Sequence, residues 1–311
     1  MRRAATLGVL VASGAISIAA AGVRQGQQPP PAKPVLEIQK LRDNLYLIGT
    51  GSGVGPNFIG GNTAVFVTER GVVVVDTKLV GWGHAMLDKI KTVSDRPVTM
   101  VINTHTHNDH TGSNTEFPAT VEFVAHENTR ANLSKPTCPP VTNCDAFKGA
   151  NAKFLPKRTF KDTLSLLSGK DRIELYHFGA GHTNGDAFIV FPAVRAMHAG
   201  DMFPWKDSPF IDRGNGGSGV ALPASLGKAV AAIKNVDTVI GGHLPPASWN
   251  DFQEYQRFNQ DVLNATREAK KAGKNVDDAV ASMKLTGTYK GYESRRLKAA
   301  VAAIYDELDG K

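Results

Sequence analysis

An apolar stretch at residues 98–103 runs directly into Thr104-His105-Thr106-His107-Asn108-Asp109-His110-Thr111-Gly112, which puts three imidazoles and a carboxylate within six residues just past an expected strand end. With nine histidines in 311 residues, that concentration is not what scatter produces. Crowding polar rings at the end of a buried strand is costly unless they have partners. Neutral imidazole suits zinc and carboxylate adds charge, so the segment can offer ligands to two adjacent metal ions. His105 and His107 project from an extended backbone, and Asp109 with His110 follows the turn.

The surrounding pattern predicts how that loop is carried. Short apolar runs at 35–38, 45–48, 63–68, 72–76 and 98–103 read as strands, with Glu69-Arg70-Gly71 as a tight turn between the third and fourth. Residues 85–93 place Met86, Leu87, Ile90 and Val93 on one helical face. The grammar then recurs: strands at 164–167, 172–178, 187–191 and 195–198, a helix at 224–233, a strand at 238–240, and helices at 249–271, 276–283 and 295–308. Strands followed by helices, twice, predict an α/β fold in which two sheets pack face to face with helices outside, a four-layer αββα sandwich over residues 35–311.

Residues 1–21 read as a signal peptide: Arg2-Arg3, an apolar stretch at 7–18, then a small-residue site ending at Ala21. The stretch is shorter than a membrane span. A periplasmic or secreted protein is therefore expected, with residues 22–34, rich in Pro and Gln, as a flexible linker. Loss of the leader removes two arginines and takes the formal charge from +7 to +5. Lys and Arg are dispersed, so a nucleic-acid partner is not expected; a small-molecule substrate is. In an oxidising compartment Cys138 and Cys144 suit a local disulfide better than a metal site.

The spacing His105-x-His107-x-Asp109-His110 resembles the signature of the metallo-β-lactamase superfamily, whose fold is the four-layer sandwich inferred above. Gly179-Ala180-Gly181-His182-Thr183-Asn184-Gly185-Asp186 is similar to the second histidine motif, Ala199-Gly200-Asp201 to the element whose carboxylate bridges two metals, and Gly241-Gly242-His243 to the last histidine motif. Asp76, closing Val72-Val73-Val74-Val75, resembles the family's early strand-end aspartate, a structural group. The resemblance implies that His105, His107 and His182 hold one metal, that Asp109, His110 and His243 hold the other, and that Asp201 bridges. The expected cofactor is two zinc ions, with iron or manganese open. The implied chemistry is attack on a carboxylic amide or ester bond by a metal-bound hydroxide, oriented by Asp109 as the catalytic carboxylate.

Substrate class divides. Asp201 stands where some lactamases carry cysteine, and together with His110 it resembles hydrolases of thioesters and lactones. Gly112-Ser113-Asn114, the Gly-His-Thr-x-Gly-Asp segment and the leader look like an exported lactamase, and a β-lactam is the favoured substrate. An iron-dependent oxidoreductase on the same scaffold is a further alternative. Lys206 is a candidate for a substrate carboxylate, Phe58, Trp82 and Trp205 for apolar contacts, and the glycine-rich loops 50–61 and 212–219 for flaps. Thr183 and Asp186 are candidates for supporting the ligands. His84, His126, His177 and His198 are expected to be packed or surface imidazoles, the first two in or beside helices and the last two in strands.

Overall fold

The computed structural model describes residues 35–50 and 57–311. The expected leader, the linker and the centre of the first glycine-rich loop lie outside the described residues. Seven strands form one sheet in sequence order: β1 (Ile38–Lys40), β2 (Leu45–Ile48), β3 (Thr63–Thr68), β4 (Gly71–Val75), β5 (Val98–Ile102), β6 (Glu122–His126) and β7 (Arg158–Phe160). The second sheet holds β8 (Thr163–Leu166), β9 (Ile173–Tyr176), β10 (Phe188–Phe191), β11 (Ala196–Gly200), β12 (Thr238–Gly241) and β13 (Ala247–Ser248).

Side-chain alternation decides the layering. Val73 and Val75 on β4 enter the core between the sheets, whereas Val72 and Val74 face the other way, against Met86 and Ile90 of α1 (Gly83–Lys91). In the second sheet Ile189 and Phe191 point into the shared core. Phe188 and Val190 pack outward, with α4 (Leu222–Ala232) and the long α5 (Trp249–Lys271). Phe66 and Phe191 meet across the sandwich with ring centroids 4.9 Å apart. Each such ring stabilises the fold by roughly 1.5–3 kcal/mol through burial. The expected four-layer sandwich is the observed one.

Two parallel crossovers position the functional loops. β4 reaches β5 through α1, and β11 reaches β12 through α4. The carboxyl ends of the parallel strands therefore open on one side, where Asp76, His105, Asp201 and His243 follow β4, β5, β11 and β12. Two short elements precede the second sheet: α2 (Asn108–Thr111) and α3 (Glu127–Leu133). The chain closes with α6 (Val276–Ser282), α7 (Leu285–Thr288) and α8 (Leu297–Leu308). Helix α5 begins with a capping box in which Ser248 and Asp251 satisfy each other's backbone N–H. Among the described residues, no helix is long and apolar enough to cross a membrane.

Several details depart from expectation. Strands β6, β7 and β13 were not anticipated; β7 and β13 are only 3 and 2 residues long, and β7 exposes Arg158 and Thr159, leaving little alternation to read. The first strand falls at Ile38–Lys40 rather than 35–38, with Val35 exposed. His126 ends β6 and caps α3, where its Nδ1 accepts the Asn128 N–H, and His177 lies one residue beyond β9 instead of within a strand.

Candidate metal centre

Asp76 sits at the end of β4 with a positive φ of 65°, completely buried. That backbone geometry costs energy for a residue with a side chain, and the local hydrogen bonds offset it. Asp76 Oδ1 accepts the Thr104 N–H at 2.8 Å, and Oδ2 accepts the Thr104 hydroxyl and the His110 Nδ1–H, each at 2.7 Å. Thr104 Oγ1 in turn lies 3.0 Å from His105 Nδ1. Because the hydroxyl hydrogen is spent on Asp76, its oxygen accepts from His105.

The same logic applies to the other rings. His107 Nε2 lies 2.8 Å from Asp212 Oδ2, and His182 Nδ1 lies 2.6 Å from the Phe210 carbonyl. Each of the four rings thus donates its outer N–H to an oxygen, which leaves the inner nitrogen as a lone pair. Those inner atoms converge. Ligand atoms of His105, His107, His182 and Asp201 all lie within 4.8 Å of one another, and those of Asp109, His110 and His243 meet the same limit. Asp201 joins the groups: Oδ1 is 3.3 Å from His110 Nε2, while Oδ2 is 3.2 Å from His243 Nε2 and 3.6 Å from His182 Nε2. Asp109 Oδ2 is 3.4 Å from His243 Nε2 and 3.7 Å from His110 Nε2.

A metal fits this donor set. Among the described residues His105 Nε2 is buried without a hydrogen-bond partner, Asp201 Oδ1 has only the His110 ring at 3.3 Å and no well-aligned hydrogen bond, and His110 Nε2 faces His243 Nε2 at 3.3 Å. Buried lone pairs facing one another are unfavourable unless a proton or a cation lies between them. Glycines make the room: a Cβ on Gly61 would fall 2.2 Å from the His110 ring, and one on Gly242 would fall 1.7 Å from Asp201 Oδ1.

Protonation states follow the surroundings. Burial, reinforced by His110, holds His105 well below the usual imidazole range, and burial with His107 lowers His182 to about 4. Burial opposes a charge on His110, but Asp109, Asp201 and Asp76 outweigh it and raise its pKa well above the ordinary value, so its inner nitrogen favours a positive charge, a proton or a bound cation, over a bare lone pair. Burial also opposes ionisation of Asp201, yet His243 and His110 prevail and hold it well below the carboxylate norm. Neutral His105 and His182 beside an ionised Asp201 are the protonation states that metal ligation requires.

The structure brings together all seven residues singled out as ligands. Of the expected apolar contacts, Phe58 and Trp205 lie 5.7 and 5.5 Å from the His243 ring, whereas Trp82 packs into the core against α1. Phe210, exposed beside His107 and His182, was not anticipated. Lys206 is committed elsewhere: its Nζ pairs with Asp251 at 2.7 Å and lies over the Tyr292 ring. The loop 212–219 is a support rather than a free flap, since Asp212 N–H donates to the His182 carbonyl and Ser218 N–H to that of Gly181. Thr183 and Asp186 bond each other through both the backbone N–H and the hydroxyl of Thr183. His198 is a strand residue bonded to the Asn62 carbonyl, and His126 and His177 stack on each other at 3.9 Å in a separate cavity. Sequence reasoning missed Asp212 as a partner of His107; its place ahead of Arg-Gly-Asn-Gly-Gly signals only a turn.

Cys138 and Cys144 are disulfide-bonded. The small loop they close leans on the metal-facing segment, where the Val141 carbonyl accepts the Asn108 N–H at 2.8 Å.

Comparison with known proteins bears on the family and the fold. The family model described as "Metallo-beta-lactamase superfamily" matches residues 56–243. A metallo-beta-lactamase type 2 from Elizabethkingia meningoseptica is 27% identical over 258 residues, covering 79% of this chain and 91% of its own length. Among solved structures, a metallo-beta-lactamase from Pontibacter korlensis superposes with a TM-score of 0.58 at 19% identity, covering 72% of this chain and 99% of that one. A double mutant of the sec-alkyl sulfatase PisA1 reaches a TM-score of 0.69 at 13% identity, covering 88% of this chain and 50% of that one. These structural likenesses establish the fold.

Proposed function

Because the chain belongs to the metallo-β-lactamase superfamily and is a metal-dependent hydrolase, we propose that it is an exported dinuclear-zinc enzyme that opens a carboxylic amide or ester bond, with a β-lactam as its favoured substrate. The observation that carries the two-metal reading is Asp201, whose oxygens approach ligand atoms in both groups. His105, His107 and His182 would hold one ion and Asp109, His110 and His243 the other, with Asp201 shared. Bound there, such ions supply Lewis acidity and bring the pKa of a water molecule from about 15.7 towards roughly 7. Export rests on the leader-like residues 1–21.

The chain's own residues supply orientation. Asp109, partly open to solvent, would accept a hydrogen bond from the attacking water and fix its direction. Asp76 and Asp212 hold the His105, His110 and His107 rings so that their lone pairs face inward. Phe58, Trp205 and Phe210 line the approach with apolar surface suited to a compact organic substrate.

A second reading, hydrolysis of a thioester or lactone, is favoured by the carboxylate at Asp201 combined with His110 in the second group. Hydrolysis of a chromogenic cephalosporin, an acyl thioester and a γ-lactone by the zinc-loaded protein, each with and without chelator, separates the two. Chelator-sensitive ring opening of the cephalosporin supports the first reading. Turnover of only the thioester or lactone replaces it with the second, and iron in the purified protein without hydrolysis of any substrate favours an oxidoreductase.

A further inference from the structure

The family match ends at residue 243, yet a later segment packs on Trp205, the ring that stacks on His243 at the edge of the candidate metal centre. Arg296, the residue preceding α8, lays its guanidinium over the Trp205 ring with Cζ 3.9 Å from the centroid. Trp205 itself stacks on His243, with centroids 5.5 Å apart and planes 30° from parallel. Backbone hydrogen bonds fix the segment in place: Glu293 N–H donates to the Lys206 carbonyl at 2.9 Å, and Arg296 N–H donates to Asp207 Oδ2 at 3.2 Å.

Arg296 differs from its basic neighbours in what its head group does. Lys206 is paired with Asp251, and Arg295 with Glu293. Among the described residues the Arg296 guanidinium makes no ion pair or hydrogen bond; its contact is the indole face. Stacking restricts the side chain while leaving the in-plane N–H fork unused. A planar fork, pre-ordered on an aromatic ring that touches a candidate metal ligand, is suited to bidentate recognition of an oxyanion.

We propose that Arg296 is a substrate-binding residue that grips a carboxylate on the substrate beside the metal centre, so that the C-terminal segment, rather than Lys206, selects anionic substrates. The inference rests on the hydrolase reading above. Zinc-loaded wild type, Arg296→Ala and Arg296→Lys are titrated calorimetrically with benzoate and with neutral benzamide, and metal content and melting temperature are recorded for each. Benzoate affinity is expected to fall about tenfold in Arg296→Ala and to recover in part in Arg296→Lys, with benzamide binding and metal content unchanged. For a carboxylate-bearing substrate, KM rises while kcat holds. Unchanged benzoate binding in Arg296→Ala overturns the proposal, and so does an equal loss for benzoate and benzamide, which would mean that the side chain only packs Trp205. If none of the proposed substrates is turned over but benzoate binding still depends on Arg296, the proposed reaction fails and the anion site stands.

Discussion

Asp76 Oδ2 lies 2.7 Å from His110 Nδ1 and 2.7 Å from the Thr104 hydroxyl that orients His105, so one buried carboxylate governs a ring in each metal-facing group. Its function depends on charge as well as shape. Asn tolerates the positive φ at this position but offers a single acceptor oxygen, whereas Ala removes both the acceptor and the local compensation for that backbone. Asp76→Asn should therefore weaken metal affinity about 10–100-fold with a near-normal melting temperature, and Asp76→Ala should lower both. Competition for zinc against a chromophoric chelator checks the first effect and thermal melting the second.

Asp212 performs the same task for His107 alone. Asp212→Asn is expected to weaken zinc binding at the group of His105, His107 and His182, leaving the second group closer to normal. Stepwise zinc titration of the metal-free variant should show one weakened and one retained phase; two unchanged phases would count against the assignment.

Lys78 is completely buried, and its ammonium donates to the carbonyls of Ile48, Gly49 and Gly61 at 3.0, 2.7 and 2.7 Å. Burial pulls its pKa down to about 7. Lys78→Met leaves three carbonyls without their donor and loosens Gly61, which lies against His110. A loss of about 2–4 kcal/mol in stability is expected, measured by denaturant unfolding.

Buried His126 stacks on the half-buried His177, and burial followed by the charge of His177 lowers His126 to about 4. The unfolded chain binds this proton near pH 6.5 and the folded chain only near 4, so the unfolded state holds more protons between those values. Stability contributed by neutral His126 is thus present above pH 6.5 and lost as the pH falls towards 4, by about 1–2 kcal/mol after allowance for solvent. His126→Gln should flatten that part of the stability profile; an unchanged slope would place the acid sensitivity elsewhere.

The disulfide closes a short loop and carries no metal-facing atom in either group. Replacing both cysteines with serine should cost about 2 kcal/mol and leave zinc content intact. Loss of zinc in the double variant would make the loop's contact with Asn108 essential to the site.

Much of this was legible in the sequence because the signals were local. The Val72-Val73-Val74-Val75 run alternates between two cores and ends at Asp76, and the 104–112 loop carries four of the seven converging residues. His182, Asp201 and His243 could be placed only through motif resemblance, since nothing local brings residues so far apart together. Asp212, Phe210 and Arg296 left no such trace. Their roles come from tertiary packing: Asp212 from a loop pinned behind His182, and Arg296 from a helix start docked on Lys206 and Asp207. The surroundings of Lys206 were hidden for the same reason, because its partner Asp251 lies in the first turn of α5, far away in sequence.

The central claim is a two-metal centre bridged by Asp201, and elemental analysis of the zinc-reconstituted protein beside its Asp201→Ala and His107→Ala variants tests it most directly. The account predicts two zinc ions per chain in the wild type and fewer in each variant; two ions retained in either variant, or none in the wild type, would contradict it.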